Sequence, residues 1–387
     1  MITLAFSGFG LAKTAARHLE SNPDSGFWGA TKYQFTHVQW AGCGYWDMIQ
    51  PSFMFMVGVS MAYSYLRRQK EGHSYRRMLG HAMTRSFILI FLGIFLVSHG
   101  PLTNWVFTNV LTQIGLGYTF LFLLWQRTSR TQSIAAATIL VSTWLLFVCY
   151  PDDPKTGVKA DWAAEHLDGV LPSWHKNANV AHSFDTWLLN QLPERAPFTS
   201  DEAGQLRKPF TSNRGGYATL NFIPSIATML FGLMCGELLG SQRAAKKKLQ
   251  LLALAGIGGL LSGWLLEALG ICPIVKRIWT PAWTLFPTGW CCLILAALYG
   301  MIDVCNYSRW TYTLVVAGMN SIALYCMSML LKPRTTKALK THLGDELFLL
   351  GDPLNEPFFQ ATLTGLSFWL VCGGCIGRKF SSGFNLT

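Results

Sequence analysis

The stretch LQLLALAGIGGLLSGWLLEALGI, residues 249–271, decides the fold class because its only charged side chain is that of Glu267. An apolar run of about 20 residues is long enough to cross the hydrocarbon core of a bilayer as a helix. The cationic segment RAAKKK, residues 243–248, immediately precedes it. Runs of the same kind recur along the chain, so we predict nine full spans: 48–66, 82–98, 107–125, 133–150, 217–239, 249–271, 283–303, 310–331 and 357–376.

Composition supports a membrane protein over a soluble one. Of 387 residues, 51% are hydrophobic and 13% are charged, about half the ~25% charged fraction of soluble proteins. These figures exclude a disordered chain, a coiled coil and a secreted disulfide scaffold, and they disfavour a soluble α/β enzyme. We therefore expect an all-α polytopic integral membrane protein, with residues 1–387 as one transmembrane domain.

The apolar run at residues 1–12 is too short to cross a bilayer and lacks the basic start of a signal peptide. We interpret it as the truncated first helix of about ten, and expect the true start of the protein to lie upstream.

The distribution of Lys and Arg predicts the orientation. The net charge of +11 is spread over short segments between apolar runs, which favours basic cytoplasmic loops over a nucleic-acid surface. Fifteen cations fall on one side and six on the other, so we place the first side in the cytoplasm. The segment 151–216 is then one long extracytoplasmic loop between helices five and six, containing His166, His175 and His182. Its length suggests that it covers or lines a site.

Three short patterns have structural and functional interpretations. CGGC, residues 372–375, has redox or metal spacing, but the absence of a second pair favours helix packing, and we predict no metal. The series Gly232, Gly236 and Gly240, and the pair Gly259 and Gly263, indicate close packing between membrane helices. RAAKKK is typical of a cytoplasmic loop, with a docking surface for an anionic ligand as the alternative.

The cysteines lie mostly in apolar runs, which favours isolated thiols over disulfides.

The segment FTHVQWAGCGYWDMIQPSFMFMVGVS, residues 35–60, contains the candidate chemistry. Ten residues separate His37 from Asp47, so the two can meet where a loop folds onto the start of a helix. Histidine is the usual general base near neutral pH, and a carboxylate can fix its tautomer. A single loop histidine is more often structural or solvated, so this pattern alone leaves both interpretations open.

The same segment resembles the heparan-alpha-glucosaminide N-acetyltransferase family and its bacterial relatives. That family has a pattern close to H-x-x-W-x-G-x-x-x-x-D-x-x-x-P-x-F-x-F-x-x-G. It is matched here by His37, Trp40, Gly42, Asp47, Pro51, Phe53, Phe55 and Gly58. Further matches follow in order, at Arg85-Ser86, NVLTQIGLGY (109–118), PIVKRIWTPAW (273–283) and GMNSIALY (318–325).

The resemblance implies a transmembrane acetyltransferase that moves an acetyl group from cytoplasmic acetyl-CoA to an amino sugar or glycan on the other side. It implies catalytic roles for His37, Asp47 and Asn320, with Trp40 and Lys276 near the acceptor. It also implies a homodimer, and we expect the membrane to be the bacterial cytoplasmic membrane. The phosphates of CoA would bind a group of cytoplasmic arginines: Arg67, Arg68, Arg76, Arg77 and Arg85.

The chain departs from the family pattern at several points. The D-x-x-R-G start is absent, Ser7 stands where the family has Asn, and Thr112-Gln113 replaces a Gln-Arg pair. Two other functions stay open. A multi-pass transporter of a small or anionic solute would show discontinuous helices and ionisable groups at the midplane, and a partner-binding membrane protein would tolerate alanine at His37 and Asp47.

Overall fold

The computed structural model describes residues 6–151, 172–193 and 210–381, so His166 lies outside the described residues. Apart from an isolated bridge between Ala41 and Val275, the regular structure in these ranges is helical. The α-helices are α1 (Leu11–Ser21), α2 (Gly26–Phe35), α3 (Ile49–Lys70), α4 (Tyr75–Val97), α5 (Val110–Leu124), α6 (Ser129–Val148), α7 (Val180–Asn190), α8 (Phe222–Gly240), α9 (Ala245–Ala268), α10 (Pro281–Tyr299), α11 (Tyr312–Met319), α12 (Ser321–Leu330), α13 (Lys332–Leu343) and α14 (Glu356–Ser381).

Five helical segments among the described residues are long and apolar enough to cross a membrane: Tyr75–Val97, Ser129–Val148, Thr219–Gly240, Ala245–Ala268 and Pro281–Val304. A sixth span is obtained if the bent pair Arg309–Met319 and Ser321–Leu330 is counted as one. A helical membrane protein is thus supported, whereas nine complete spans out of ten are not confirmed.

The difference has a physical cause. Helix α5 has 15 residues, shorter than the ~20 that a span needs. Helix α3 is not among the five candidate spans, and its apolar part contains the polar residues Gln50, Ser52, Ser60 and Ser64, which lower its mean hydropathy. The two short helices α1 and α2 precede the motif segment and are too short to cross a bilayer.

The described chain divides into two compact units. Unit 1 comprises residues 1–38, 44–49 and 301–387, and unit 2 comprises residues 39–43 and 50–300. The core of unit 1 packs α14 against α11, α12 and the start of the chain; it contains Phe6, Val316, Leu324, Phe368 and Cys372. This placement gives Phe6, in the described part of the first apolar run, a packing role within unit 1.

Glycines set the closest helix contact in unit 2. A Cβ on Gly58 of α3 would collide with the carbonyl of Met229 on α8, and a Cβ on Gly232 of α8 would collide with the carbonyl of Phe55. The two backbones therefore touch, which confirms the small-residue packing predicted for Gly232. Gly240, the last residue of the series, is not part of this contact, since an added Cβ would lie 3.9 Å from the nearest atom.

We expect Gly232→Ala to destabilise the protein by about 1–3 kcal/mol, the usual cost of overpacking, because the methyl group must separate α3 from α8. Gly240→Ala is the matched control in the same helix and should change little. The apparent Tm of the purified protein measures both. Equal Tm values for the two variants would contradict the contact.

An ion cluster ties the start of α14 to α1 and α13 within unit 1. Lys340 donates to Glu356 at 2.8 Å, and Arg17 donates to the same carboxylate at 3.1 Å. The hydrogen bond from Lys340, followed by that from Arg17, lowers the pKa of Glu356 below its ordinary value. A lowered pKa means that the folded state favours the ionised carboxylate.

The stabilisation by Glu356 should therefore be present above the unfolded-state pKa of about 4.3 and be lost as the pH falls below it. We expect Glu356→Gln to cost about 1 kcal/mol at pH 7, with the gap to wild type closing at an acid pH below the lowered pKa of Glu356. Thermal unfolding at both pH values measures this, with Glu346→Gln as an exposed control. A gap that persists in acid would show that the loss is not electrostatic.

Candidate functional site

His37 and Asp47 form a direct hydrogen bond in unit 1. His37 Nδ1 lies 2.7 Å from Asp47 Oδ1. Helix α2 ends at Phe35, and Asp47 belongs to a 3₁₀ turn, Tyr45–Met48, that leads into α3. The structure thus brings together the two residues that their spacing in the sequence singled out.

Asp47 is held by backbone as well as by the histidine. Its second oxygen, Oδ2, accepts from the N–H groups of Val38 at 3.1 Å and of Gly44 at 3.3 Å. The Asp47 side chain is 2% exposed, whereas that of His37 is 42% exposed. A buried carboxylate that receives several hydrogen-bond donors is fixed in position.

The contact assigns a tautomer to His37. A carboxylate only accepts hydrogen bonds, so Nδ1 must carry the proton that it shares with Asp47. Nε2 then carries the lone pair of the neutral ring. The arrangement is that of a base whose ring is oriented by a buried carboxylate. Because the His37 ring is partly exposed, a reactant could approach Nε2.

The residues that flank the pair are packed within unit 1. The Trp46 ring centroid lies 6.2 Å from that of His37. A Cβ on Gly8 would come within 2.9 Å of the Trp46 ring, and the Tyr45 N–H donates to the Gln34 side chain at 2.8 Å. These contacts fix the turn that presents Asp47.

The motif residues between His37 and Asp47 belong to unit 2. Gly42 has φ of +111°, a conformation that favours glycine, and its N–H donates to the carbonyl of Ile274 at 2.9 Å. Ala41 pairs with Val275 in the isolated antiparallel bridge. The motif glycine therefore lets this loop lie against the PIVKRIWTPAW segment, and brings Trp40 and Lys276 onto adjoining stretches of backbone.

Trp40 and Lys276 are both buried. Trp40 is 1% exposed, and its indole N–H donates to the carbonyl of Trp174 at 3.0 Å. Lys276 is 7% exposed. Trp40 thus anchors the described part of the segment 151–216 in this structure, and its place near the acceptor stays a prediction.

The PIVKRIWTPAW segment is a tight turn built around Thr280. The Thr280 hydroxyl donates to the carbonyl of Pro273 at 2.6 Å and accepts from the N–H groups of Val275 and Trp283. Trp279 adopts a positive φ of 49° and donates from its indole to Thr228. This network fixes the backbone that carries Lys276.

A cationic cluster in unit 2 was missed by the sequence interpretation. Arg277 donates to the carbonyl of Gly215 at 2.5 Å and lies over the Tyr217 ring. Burial, together with the charges of Arg277 and Arg214, lowers the pKa of Lys176. Because these cations lie far apart in the sequence, their clustering could not be predicted. The only sequence feature that pointed to this region was the concentration of polar residues in 175–216.

Asn320 lies at the break between α11 and α12, where the helix axis bends by 64°. Its amide donates to the carbonyl of Val316 at 3.0 Å. In the described residues this amide thus bonds within its own helix rather than to His37 or Asp47. The break leaves the first N–H groups of α12 without a side-chain cap.

The five predicted CoA-binding arginines share one helical hairpin. Arg67 and Arg68 end α3, Arg76 and Arg77 begin α4, and Arg85 lies farther along α4. Arg67 pairs with Glu71 at 2.8 Å, and Arg85 lies 4.9 Å from the Tyr118 ring centroid. The hairpin concentrates positive charge at one end of α3 and α4.

Comparison with known proteins gives two relatives and no matching family model. Heparan-alpha-glucosaminide N-acetyltransferase from Mus musculus is 27% identical over 339 residues, covering 77% of this chain and 50% of that protein. The Homo sapiens protein of the same name is 27% identical over 340 residues, covering 77% and 49% respectively. The chain spans about half the length of these curated relatives. The resemblance predicted from the motifs is confirmed.

Because Asp47 accepts from three donors, Asp47→Asn should cost about 1–3 kcal/mol of stability. The neutral amide replaces charge-assisted hydrogen bonds by weaker ones, and its NH₂ must either face a backbone N–H or donate to Nδ1 of His37 in the other tautomer. His37→Ala should cost less, since the ring is half exposed. Apparent Tm values measure both, with Asp24→Asn as an exposed control. Asp47→Asn as stable as this control would contradict the buried hydrogen-bond arrangement.

Proposed function

We propose that this chain is a transmembrane acetyltransferase that moves an acetyl group from cytoplasmic acetyl-CoA to the amine of an amino sugar or glycan on the extracytoplasmic side. The single observation that carries the proposal is the hydrogen-bonded pair of His37 and buried Asp47. The two N-acetyltransferases that resemble the chain support the same reaction class.

The proposed chemistry uses Nε2 of His37 as the proton acceptor. The acceptor amine attacks the thioester carbonyl, its proton passes to Nε2, and the C–S bond breaks to release CoA as a thiolate that takes up the proton. Asp47 stabilises the imidazolium that forms. In an alternative route Nε2 attacks the thioester and the C–S bond breaks to release CoA as a thiolate; the amine then attacks the acetyl carbonyl, the bond from that carbon to Nε2 breaks, and the amine proton passes to solvent.

The uncapped helix break at Asn320 is a candidate for stabilising the oxyanion. Backbone N–H groups at the start of a helix form a positive site, and a carbonyl oxygen that gains charge would be stabilised there. In this proposal Asn320 positions the break, since its amide already bonds to Val316.

The donor and the acceptor are assigned to opposite ends of the helices. The arginine hairpin of α3 and α4 supplies cations for the phosphates of CoA. On the extracytoplasmic side, Lys276 and Trp40 lie on adjoining backbone stretches of unit 2, and we assign the acceptor to that end. The homodimer and the bacterial cytoplasmic membrane stay predictions.

A transporter is the second candidate, because one observation favours it. The apolar pair α11 and α12 is bent by 64°, and discontinuous helices are typical of transporter binding sites. A transporter would move a solute across vesicles without consuming acetyl-CoA, and His37→Ala would leave that movement intact.

The acetyltransferase is tested with purified protein, acetyl-CoA labelled on the acetyl carbon, and a panel of amino sugars. Wild type should release CoA in an acceptor-dependent manner. His37→Ala and His37→Gln should lower the rate by about 10²–10⁴-fold, the usual contribution of a general base. Label should appear on the amine of the acceptor.

His342→Ala is the matched control, because His342 is an exposed histidine of unit 1. It should keep the wild-type rate. Turnover that survives in folded His37→Gln would contradict the role of His37, and folded wild-type protein that never consumes acetyl-CoA would contradict the proposed function.

A further inference from the structure

A cavity of about 550 Å³ opens in unit 2 between α8, α9 and α10. Its volume lies within the ~300–1,000 Å³ range of small-molecule sites. Most of its lining is apolar, with Phe231, Met234, Leu252 and Leu285 among the side chains that face it. None of the proposed catalytic residues lines it.

The mouth of the cavity lies on the apolar side of α9. Ala255 and Gly258 line the cavity and are exposed. Beside them runs a stripe of exposed apolar side chains at helical spacing: Leu254, Ile257, Leu261, Trp264 and Leu265. Such a stripe on a candidate membrane span faces lipid, so a ligand reaches this cavity from within the bilayer.

The cavity follows α9 from Leu251 to Ser262. The eleven rises between these two residues correspond to about 16 Å, roughly half of the ~30 Å hydrocarbon thickness. The cavity therefore has the depth of one leaflet, which suits an acyl chain.

The polar end of the cavity is cationic. Arg243 lines it and is exposed, and Lys246 and Lys247 are exposed in the adjoining turn of α9. Lys248 is used within the fold, since its ammonium donates to the carbonyl of Leu239 at 2.7 Å. The N-terminus of α9 has no side-chain cap, so its N–H groups add to the positive field.

Glu237 is the acidic residue that lines the cavity, and both of its carboxylate oxygens receive the Gln132 amide, at 3.2 and 3.1 Å. Glu237 lies in the last turn of α8, whereas Arg243 lies in the connection between α8 and α9. Because the Glu237 carboxylate is already hydrogen-bonded within the fold, the exposed cations Arg243, Lys246 and Lys247 determine which headgroup charge fits this end.

We propose that this cavity binds an anionic phospholipid, with one acyl chain between α8, α9 and α10 and the phosphate against Arg243. The basic run RAAKKK, residues 243–248, would then have two roles: it binds the lipid phosphate, and it orients the chain in the membrane. The site is separate from the proposed acetyl transfer and does not depend on it.

Gly258 allows the cavity to be filled without disturbing the fold, because a Cβ there meets no atom within 4 Å. Gly258→Phe should abolish binding. Gly374→Phe is the matched control, since Gly374 also lies in an apolar helix with open space around its added Cβ. Arg243→Gln should weaken binding about fivefold, as expected for one cation at a membrane surface, whereas Arg309→Gln should not.

Native mass spectrometry of the full chain, titrated in detergent with palmitoyl-oleoyl phosphatidylglycerol, measures these changes. We expect one tightly held lipid, weaker binding of the matching phosphatidylethanolamine, and no competition from acetyl-CoA. If Gly258→Phe fails to fold, Arg243→Gln and the headgroup comparison decide alone. Retention of the lipid by folded Gly258→Phe, equal binding of both headgroups, or displacement by acetyl-CoA would each overturn the proposal.

Discussion

The buried carboxylate of Asp47 accepts hydrogen bonds from an imidazole and two backbone N–H groups, and the arrangement around the candidate site depends on this. The carboxylate holds the ends of the loop, at Val38 and Gly44, and orients the His37 ring. Removing it would leave the donors without their charge partner inside the protein, which is costly. One residue therefore joins the local fold of residues 37–48 to the proposed chemistry.

The spacing of the motif has a physical explanation in the same segment. Gly42 is required because its φ is positive, and Trp40 is required because its indole fills a buried position next to Trp174. Gly58 is required because α3 and α8 touch there. The motif thus combines one pair suited to chemistry with residues that determine how the backbone packs.

The sequence predicted the helical membrane class, the contact between His37 and Asp47, and the packing of Gly232. It could not predict the break at Asn320, since GMNSIALY contains no proline and continues an apolar run. It also could not show that Trp40 and Lys276 are buried, because burial arises from contacts with Trp174 and the 273–283 turn, far along the chain. The predicted number of spans is not confirmed, because run length in the sequence does not show where a helix such as α5 begins and ends.

The most direct test of the central claim is transfer across a sealed membrane. Protein reconstituted into vesicles would receive labelled acetyl-CoA on one face and glucosamine only on the other. The account predicts labelled N-acetylglucosamine on the glucosamine side with wild type and none with His37→Gln. Product that forms only when both reactants share one face, or that forms equally with His37→Gln, would contradict it.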